Sequence, residues 1–337
     1  MKTVFVTGTA GFIGYHLAEL LLKDGFRVVG YDGMSDYYDV TLKQRRHQML
    51  LQNPGFSCHE GLLEDNARLQ AICAAAKPDV IVHLAAQAGV RYSLENPRAY
   101  IEANVVGTFN IMECARELKV EHLLMASTSS VYGANPDLPF TENHNTDTPL
   151  TLYAATKKAN EEMGHCYAHI WGIPTTMFRF FTVYGPWGRP DLALFKFVKA
   201  GLAGDAIDVY NNGQMARDFT YVGDLVRAIR LLIDTPPAMP EAREAVIEGD
   251  SLSPVGPFRI VNIGNSVKVP LMEFIDEIEA SLGVPIRKNF MPMQTGDVPE
   301  TWADTGLLFR LTGYRPQTSV KDGIAQFVAW YRGYYGV

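Results

Sequence analysis

Short runs of β-branched and apolar residues alternate with longer helical patterns through the first half of the chain, and this alternation limits the fold more than any other feature. The runs at 3–7, 27–32, 80–85, 122–127 and 175–181 predict strands. Segments between them, such as IGYHLAELLLKDG, carry apolar residues at helical spacing. Strands that are apolar on both faces and alternate with helices form a parallel sheet covered on both sides. The sequence therefore predicts a doubly wound α/β fold, with ligands beyond the carboxyl ends of the strands.

The composition limits the partners that we expect. The chain has 37 acidic and 30 basic side chains, a formal net charge of −7, which argues against a nucleic-acid partner. No apolar run is long enough to predict a membrane span, and the N-terminal apolar stretch is broken by glycines, unlike a signal peptide. The four cysteines and eight histidines show no metal-ligand spacing, so we expect no metal site, reduced thiols and a cytoplasmic protein.

A glycine triplet, Gly8, Gly11 and Gly14, stands between the first predicted strand and the first predicted helix. Glycine lets the backbone turn tightly and approach a pyrophosphate, which then lies at the free amides of the helix N-terminus. Asp32 ends the next predicted strand, where a carboxylate accepts hydrogen bonds from the adenosine ribose and repels a 2′-phosphate. Together they predict a Rossmann-type dinucleotide site that prefers NAD to NADP.

The chain is predicted to divide into two lobes at the point where the alternation of strands and helices becomes less regular. We predict an NAD-binding Rossmann domain over residues 1–180, to which segments at about 217–235 and 258–265 return. Residues 181–337, where glycines, prolines and short elements predominate, are expected to form a smaller, discontinuous and interleaved α/β lobe that binds the substrate.

Tyr153 and Lys157 lie four residues apart in LYAATKK, and therefore on one face of a predicted helix. The ordinary pKa of a phenol, about 10, makes it a poor base, but a neighbouring ammonium favours the phenolate. The pair therefore suits proton abstraction from an alcohol while hydride passes to a nicotinamide. An ordinary amphipathic helix would show the same spacing, but the dinucleotide motif upstream favours the catalytic interpretation.

Six motifs together resemble the extended short-chain dehydrogenase/reductase family of nucleotide-sugar enzymes, and UDP-glucuronate 4-epimerases in particular. They are TGTAGFIG, HLAAQAGVRYS, STSSVYG, LYAATKKANE, RFFTVYGPWGRP and RDFTYVGDL. The resemblance extends over nearly the whole chain. It implies bound NAD, a UDP-sugar substrate, oxidation of the sugar 4-hydroxyl to a transient 4-keto sugar, and return of hydride to the other face. By analogy with relatives, it also implies a homodimer formed through the helices at 98–118 and 152–170.

The resemblance also implies roles for individual residues. Tyr153 is expected to take the proton, Lys157 to hold the nicotinamide ribose, and Thr128 to hydrogen-bond the reacting oxygen. In the family, an aspartate that contacts adenine occupies the position where this chain has Leu62. Glu60 and Glu64 are the two candidates left to replace that contact. The predicted cofactor-binding residues are Gly8, Gly11, Phe12, Ile13, Gly14, Asp32, Ala85, Ala86, Ser127, Tyr153 and Lys157.

Arginines are the expected ligands of the substrate anion. Arg217 and Arg189 are predicted to hold the diphosphate through forked hydrogen bonds. Arg189 could alternatively bind the sugar carboxylate, and Arg91 is a further candidate for substrate contact. Asp297 matches a family position that contacts the uridine ribose. For each arginine the alternative is an ion pair at the surface or between the lobes.

The hydroxyl run Ser127–Ser130 distinguishes among related reactions. Family dehydratases and decarboxylases have acidic residues directly after the catalytic Ser/Thr, where this chain has Ser129 and Ser130. Since serine cannot deliver a proton at neutral pH, dehydration is disfavoured. We expect Ser129, Ser130 and Thr182 to hold the sugar carboxylate with neutral donors. A UDP-glucose/UDP-galactose-type 4-epimerase is the main alternative, and a cofactor-sensing regulatory protein is a more distant one.

Overall fold

The computed structural model describes the backbone of residues 1–337 and every side chain except that of Arg243. The strands are β1 (Thr3–Thr7), β2 (Arg27–Asp32), β3 (Phe56–Glu60), β4 (Val80–His83), β5 (His122–Thr128), β6 (Thr175–Phe180), β7 (Thr182–Tyr184), β8 (Ala206–Val209), β9 (Ala216–Tyr221), β10 (Phe258–Ile263), β11 (Lys268–Pro270), β12 (Arg287–Phe290) and β13 (Glu300–Thr301). The helices are α1 (Phe12–Lys23), α2 (Val40–Leu50), α3 (Asn66–Ala76), α4 (Tyr92–Glu95), α5 (Pro97–Tyr100), α6 (Gly107–Leu118), α7 (Leu152–Trp171), α8 (Ala193–Ala203), α9 (Val222–Ile233), α10 (Leu271–Leu282), α11 (Gly306–Thr312) and α12 (Val320–Tyr335). A π-helical turn at Ile101–Val106 connects α5 to α6.

The large sheet has seven parallel strands in the order β3-β2-β1-β4-β5-β6-β10. Every residue of β1, β5 and β6 is buried, because helices cover both faces of the sheet. The strand order reverses between β1 and β4, and a crevice forms at the carboxyl ends of the strands beside such a reversal. The predicted Rossmann-type, doubly wound fold is confirmed.

Two hydrophobic clusters hold the helices on the large sheet. On one face, residues of α1 and α9 pack together against β1, β4 and β10. On the other face, residues of α3, α6 and α7 pack against β1, β4 and β5. Helix α7 also has buried residues in each of its turns from Ala154 to Ala168, which matters because the predicted reactive pair lies in its first two turns.

A smaller set of strands follows β6 in the chain. Strand β9 lies between β11 and β13 and also pairs with β7, while β8 pairs with β12. A third cluster joins β7, β8, β9 and β11 to α8, α10 and α12. Within the predicted return segment 217–235, α9 packs on α1, whereas β9 pairs with strands of the smaller sheet. In the second predicted return segment, 258–265, β10 joins the large sheet. The boundary between the two predicted lobes stays a prediction.

The described helices include none with the length and apolar character that a membrane span requires. Among the described side chains, no three or more His, Cys, Asp or Glu residues are grouped in a way that could hold a metal ion.

Candidate active site

One cavity of about 660 Å³ opens at the carboxyl ends of the large sheet. It is lined by the loop after β1, the ends of β2, β4 and β5, the start of α7, and residues of the smaller sheet and its loops. Its lining includes these predicted site residues: Gly8, Gly11, Phe12, Ile13, Gly14, Asp32, Ala85, Ala86, Ser127, Thr128, Ser129, Ser130, Tyr153, Lys157, Thr182, Arg189, Arg217 and Asp297. Residues that are far apart in sequence thus share one space, which is what a two-substrate redox site requires.

The loop between β1 and α1 has the geometry of a pyrophosphate cradle. Gly8 has a φ of +81°, and a Cβ on Gly14 would lie 2.0 Å from the Gly8 carbonyl oxygen, so both positions require glycine. At the N-cap of α1, Gly11 makes no side-chain cap, which leaves first-turn amides free for an anion. The residues present therefore fit a dinucleotide, held between this loop and Asp32.

Asp32 also holds the loop in place. Its Oδ2 accepts a hydrogen bond of 2.8 Å from the backbone N–H of Ala10, and its Oδ1 one of 2.8 Å from that of Met34. The carboxylate is buried, and each oxygen keeps a lone pair for a further donor. The aspartate that the sequence predicts as a ribose ligand is thus also structural.

Tyr153 and Lys157 lie on one face of α7, whose N-cap Thr151 accepts a hydrogen bond from the N–H of Ala154. Lys157 is buried, and its Nζ donates to the carbonyl of Ala126 at 2.9 Å. Burial lowers the pKa of Lys157 to about 8, although the charge of Glu161 acts in the opposite direction. The pKa of this ammonium is thus much closer to neutral pH than that of an ordinary lysine.

For Tyr153 the direction of the pKa shift is opposite to the expectation from sequence. Burial raises the pKa of Tyr153, while hydrogen bonding with Thr128 and the charge of Arg189 lower it to a smaller extent. Desolvation of the buried phenol therefore outweighs these two favourable contacts.

The hydroxyl run forms a short turn at the end of β5. The Oγ1 of Thr128 accepts from the N–H of Ser130 at 3.2 Å and caps a 3₁₀ turn over Ser129–Tyr132. Ser129 and Ser130 are half-buried and line the cavity with Thr182. Ser127 also belongs to the lining, but its hydroxyl donates to Glu161 Oε1 at 2.6 Å. Ser129, Ser130 and Thr182 thus share the cavity with Thr128, and the hydroxyl of Ser127 has a structural partner.

The predicted anion ligands are paired with carboxylates. Arg189 donates to both oxygens of Asp191, at 3.0 and 2.6 Å. Arg217 donates to Asp297 Oδ1 at 2.8 Å and to three backbone carbonyls. These ion pairs are the alternative that the sequence left open, and roles in substrate binding stay predictions for Arg189, Arg217 and Asp297.

Two further predicted positions lie at the edge of the site. Arg91 is exposed, does not belong to the described cavity lining, and lies with its Cζ 4.7 Å from the ring centroid of Tyr210. Its substrate contact stays a prediction. Leu62 lines the cavity together with Glu64, whereas Glu60 does not belong to the described lining. Of the two candidate replacements for the missing aspartate, the geometry favours Glu64.

Sequence reasoning missed the buried ion pair behind the site. Arg179 of β6 donates through Nε and Nη2 to the two oxygens of Glu161 on α7, at 2.9 and 2.8 Å, and both side chains are buried. Burial alone would lower the pKa of Arg179, but the Glu161 carboxylate raises it overall. The spacing of Tyr153, Lys157 and Glu161, four residues each, places all three on one helical face and could have revealed the third.

Comparison with known proteins agrees with this architecture. A probable UDP-glucuronate 4-epimerase of Rhizobium meliloti (strain 1021) is 54% identical over 326 residues, 97% of this chain and 96% of the relative. Protein CapI of Staphylococcus aureus is 51% identical over 332 residues, 98% of this chain and 99% of the relative. A crystal structure of the UDP-glucuronic acid 4-epimerase from Bacillus cereus, in complex with UDP-glucuronic acid and NAD, superposes with a TM-score of 0.87 at 30% identity, covering 99% of this chain and 100% of that chain.

The fold and the site together define an extended short-chain dehydrogenase/reductase, as the sequence motifs predict. The chain belongs to the GDP-mannose 4,6 dehydratase family, whose family model matches residues 5–327.

Replacement of Glu161 by Gln is expected to lower the free energy of unfolding by about 3–5 kcal/mol, because Arg179 is left as a buried charge without its partner. Urea unfolding measures the change. Glu162→Gln, which removes the neighbouring exposed carboxylate, is the control and should change stability by less than about 0.5 kcal/mol. The double variant Glu161→Gln/Arg179→Met should be more stable than Glu161→Gln. Equal losses in Glu161→Gln and Glu162→Gln would contradict the assigned importance of the pair.

Proposed function

We infer that this chain is an NAD-dependent nucleotide-sugar 4-epimerase that converts UDP-glucuronate to UDP-galacturonate. The observation that carries the inference is the single cavity in which a dinucleotide cradle, Tyr153 with Lys157, and a hydroxyl turn without an acid come together. The Rhizobium meliloti relative, whose name gives this activity, and the Bacillus cereus complex support the choice of substrate and cofactor.

Bound NAD would supply reversible acceptance of hydride from C4 of the sugar. We propose that it is held by the glycine loop, Asp32, the chain after β4 and Lys157. Tyr153 takes the proton of the 4-hydroxyl, and Thr128, its neighbour in the cavity, holds the reacting oxygen. After the 4-keto sugar rotates in the site, Tyr153 returns the proton to the reacting oxygen, and the opposite face of C4 would be the one reduced. The cycle is redox-neutral and needs no external oxidant.

The positive charge of Lys157 favours the phenolate of Tyr153 once both face the reacting alcohol. Since the pKa of Lys157 is lowered to about 8 by burial, the ammonium form predominates at neutral pH. Thr128 and the phenol of Tyr153 then both donate hydrogen bonds to the developing 4-keto oxygen, and these hydrogen bonds stabilise it.

The hydroxyl turn serves the sugar carboxylate in this proposal. Oxidation of a uronic acid at C4 produces a β-keto acid, which loses carbon dioxide when the carboxylate bond aligns with the carbonyl π system. Ser129, Ser130 and Thr182 line the same cavity as Thr128 and offer neutral donors. Hydrogen bonds from them would keep the carboxylate out of alignment without supplying a proton.

The diphosphate would be bound by Arg217, with Arg189 near the sugar. In the protein described here both guanidinium groups are engaged by carboxylates, Asp297 and Asp191. We propose that the substrate anion takes over hydrogen bonds that these carboxylates now accept, and that Asp297 is then available to the uridine ribose. Arg91 stays a candidate at the edge of the cavity.

The assembly and the compartment are also proposed. Ile101, Val106 and Phe109 expose apolar surface on one of the two predicted dimer helices, which supports a homodimer. A monomeric mass in sedimentation at micromolar concentration would contradict it. The four cysteines are free thiols, as a reducing cytoplasm would maintain.

Purified protein incubated with UDP-glucuronate should produce UDP-galacturonate without added NAD, because each cycle regenerates the cofactor. Chromatography with mass detection resolves the products, and UDP-glucose in a parallel incubation tests the neutral-sugar alternative. A UDP-pentose with carbon dioxide, or turnover of UDP-glucose alone, would refute the proposal.

The variant Tyr153→Phe is the control for this assay. It removes the phenolic proton acceptor and keeps the ring, so epimerisation should fall by roughly 100-fold or more while bound NAD stays at the wild-type amount. Near-normal turnover would show that another group is the base.

The double variant Ser129→Ala/Ser130→Ala is expected to release carbon dioxide from UDP-glucuronate roughly tenfold more often per turnover than the wild type, because hydrogen bonds to the carboxylate are lost. Labelled carbon dioxide measures the release. Ser57→Ala, a half-buried serine outside the described cavity lining, is the matched control. Unchanged release together with unchanged substrate affinity would exclude the proposed carboxylate site.

A further inference from the structure

Helix α2 carries two buried cations, Lys43 and Arg46, beside the dinucleotide end of the cavity. Their relative exposure is 5% and 0%. Among the described side chains, all of the hydrogen-bond acceptors that face them are neutral oxygens. A buried charge without an ion-pair partner is costly unless other groups or a ligand compensate it. The proposed reaction assigns neither residue a role.

Lys43 faces the cavity. Its Nζ donates to the carbonyl oxygen of Ser35 at 2.6 Å and to the Ser35 hydroxyl at 3.0 Å, and it lies 4.5 Å from the ring centroid of Tyr38. Lys43, Ser35 and Asp32 all line the cavity. The ammonium is therefore on the side where the adenosine ribose is expected.

Arg46 fixes the wall behind this site. Its Nη1 donates to the carbonyl of Ala10 at 2.7 Å and to the hydroxyl of Tyr38 at 2.9 Å, and its Nη2 to the carbonyl of Trp187 at 2.6 Å. It thereby joins the glycine loop to the segments after β2 and β7. Because Arg46 does not belong to the described cavity lining, it is a positioning residue.

The buried charges at this end of the cavity do not balance. Burial lowers the pKa of Lys43, and the charges of the buried Asp32 and of the exposed Asp36 partly offset this, whereas those of Arg46 and Arg189 add to it. Among the described side chains, Asp32 is thus the one buried carboxylate near two buried cations. A 2′-phosphate on the ribose would be repelled by Asp32 and attracted by Lys43, so both charges would act on the choice between NAD and NADP.

We propose that Lys43 is a cofactor-binding residue at the adenosine ribose, and that Asp32 and Lys43 together set the preference for NAD over NADP. The proposal rests on the proposed function, because it requires a bound dinucleotide. With NAD, Lys43 donates to a ribose oxygen and Asp32 accepts from a ribose hydroxyl. When the charge of Asp32 is removed, Lys43 becomes a ligand for the 2′-phosphate of NADP.

The test measures which nucleotide the full-length protein holds. Purified protein is equilibrated with an equimolar excess of isotopically labelled NAD and NADP, separated by gel filtration, and its labelled nucleotides are quantified by mass spectrometry. The set comprises the wild type, Lys43→Met, Asp32→Asn, Asp32→Asn/Lys43→Met, Asp32→Asn/Lys43→Arg and Arg45→Met. Arg45 is the matched control, since it is an exposed cation on the same helix.

Lys43→Met should hold NAD with an affinity about tenfold lower, and Asp32→Asn should raise the NADP share about tenfold or more. The gain in NADP share should vanish in Asp32→Asn/Lys43→Met and persist in Asp32→Asn/Lys43→Arg. Because the arginine variant keeps the positive charge, it separates loss of the charge from a folding defect. Arg45→Met should match the wild type.

Two results would overturn the proposal: NAD affinity of Lys43→Met equal to that of the wild type, or an NADP share in Asp32→Asn/Lys43→Met equal to that in Asp32→Asn. Wild-type protein that held neither nucleotide would refute dinucleotide binding itself and this proposal with it. By contrast, wild-type protein that holds NAD but does not epimerise UDP-glucuronate would refute the proposed function alone.

Discussion

The buried ion pair between Arg179 and Glu161 is the interaction on which the geometry of the site depends. It joins β6 of the large sheet to α7, the helix that carries Tyr153 and Lys157, the predicted reactive pair. Arg179 also donates to the carbonyl of Glu142 at 3.0 Å and lies 4.7 Å from the ring centroid of Tyr132. Taking two charges out of water is costly, and the forked geometry with additional acceptors is what offsets that cost. The orientation of α7 is therefore set by a directional contact as well as by apolar packing.

The same pair connects the core to the cavity. Glu161 accepts from Ser127 at 2.6 Å, which fixes the end of β5 immediately before Thr128. On the far side, Tyr132 donates to Asn262 of β10 at 2.7 Å. Strand β10 comes late in the chain, so the site is complete only when this strand has joined the sheet. The predicted catalytic residues are thus held in place by buried polar contacts between distant segments.

Local sequence patterns were sufficient for the fold, and together with the family resemblance they predicted site residues that, apart from Arg91, belong to the described cavity lining. The alternation of strands and helices determines the parallel sheet, and glycine is required at the start of α1 because a Cβ on Gly14 would collide with the carbonyl oxygen of Gly8. Side-chain partners were not predictable in this way, because they depend on how distant segments pack. Arg217 with Asp297 is one example, separated by 80 residues, and the burial of Lys43 within a run of charges that resembles a solvated helix face is another. The raised pKa of Tyr153 belongs to the same group, since it follows from burial that no motif encodes.

On the proposed function, the charges around the cavity would let an acidic protein select a multiply anionic substrate. Arg189 and Arg217 each face a carboxylate of this chain, so these two cations are paired before a ligand arrives. An anion that replaces such a carboxylate must offer two acceptors in the geometry that the guanidinium fork requires, which a diphosphate or a carboxylate does and a single hydroxyl does not. Exchange of one partner for another avoids the cost of holding a bare buried cation. On the proposed function, the discrimination against neutral ligands therefore arises from competition with the protein's own carboxylates. The neutral hydroxyls of Ser129 and Ser130 contribute as well, because they donate hydrogen bonds to the uronate carboxylate without protonating it.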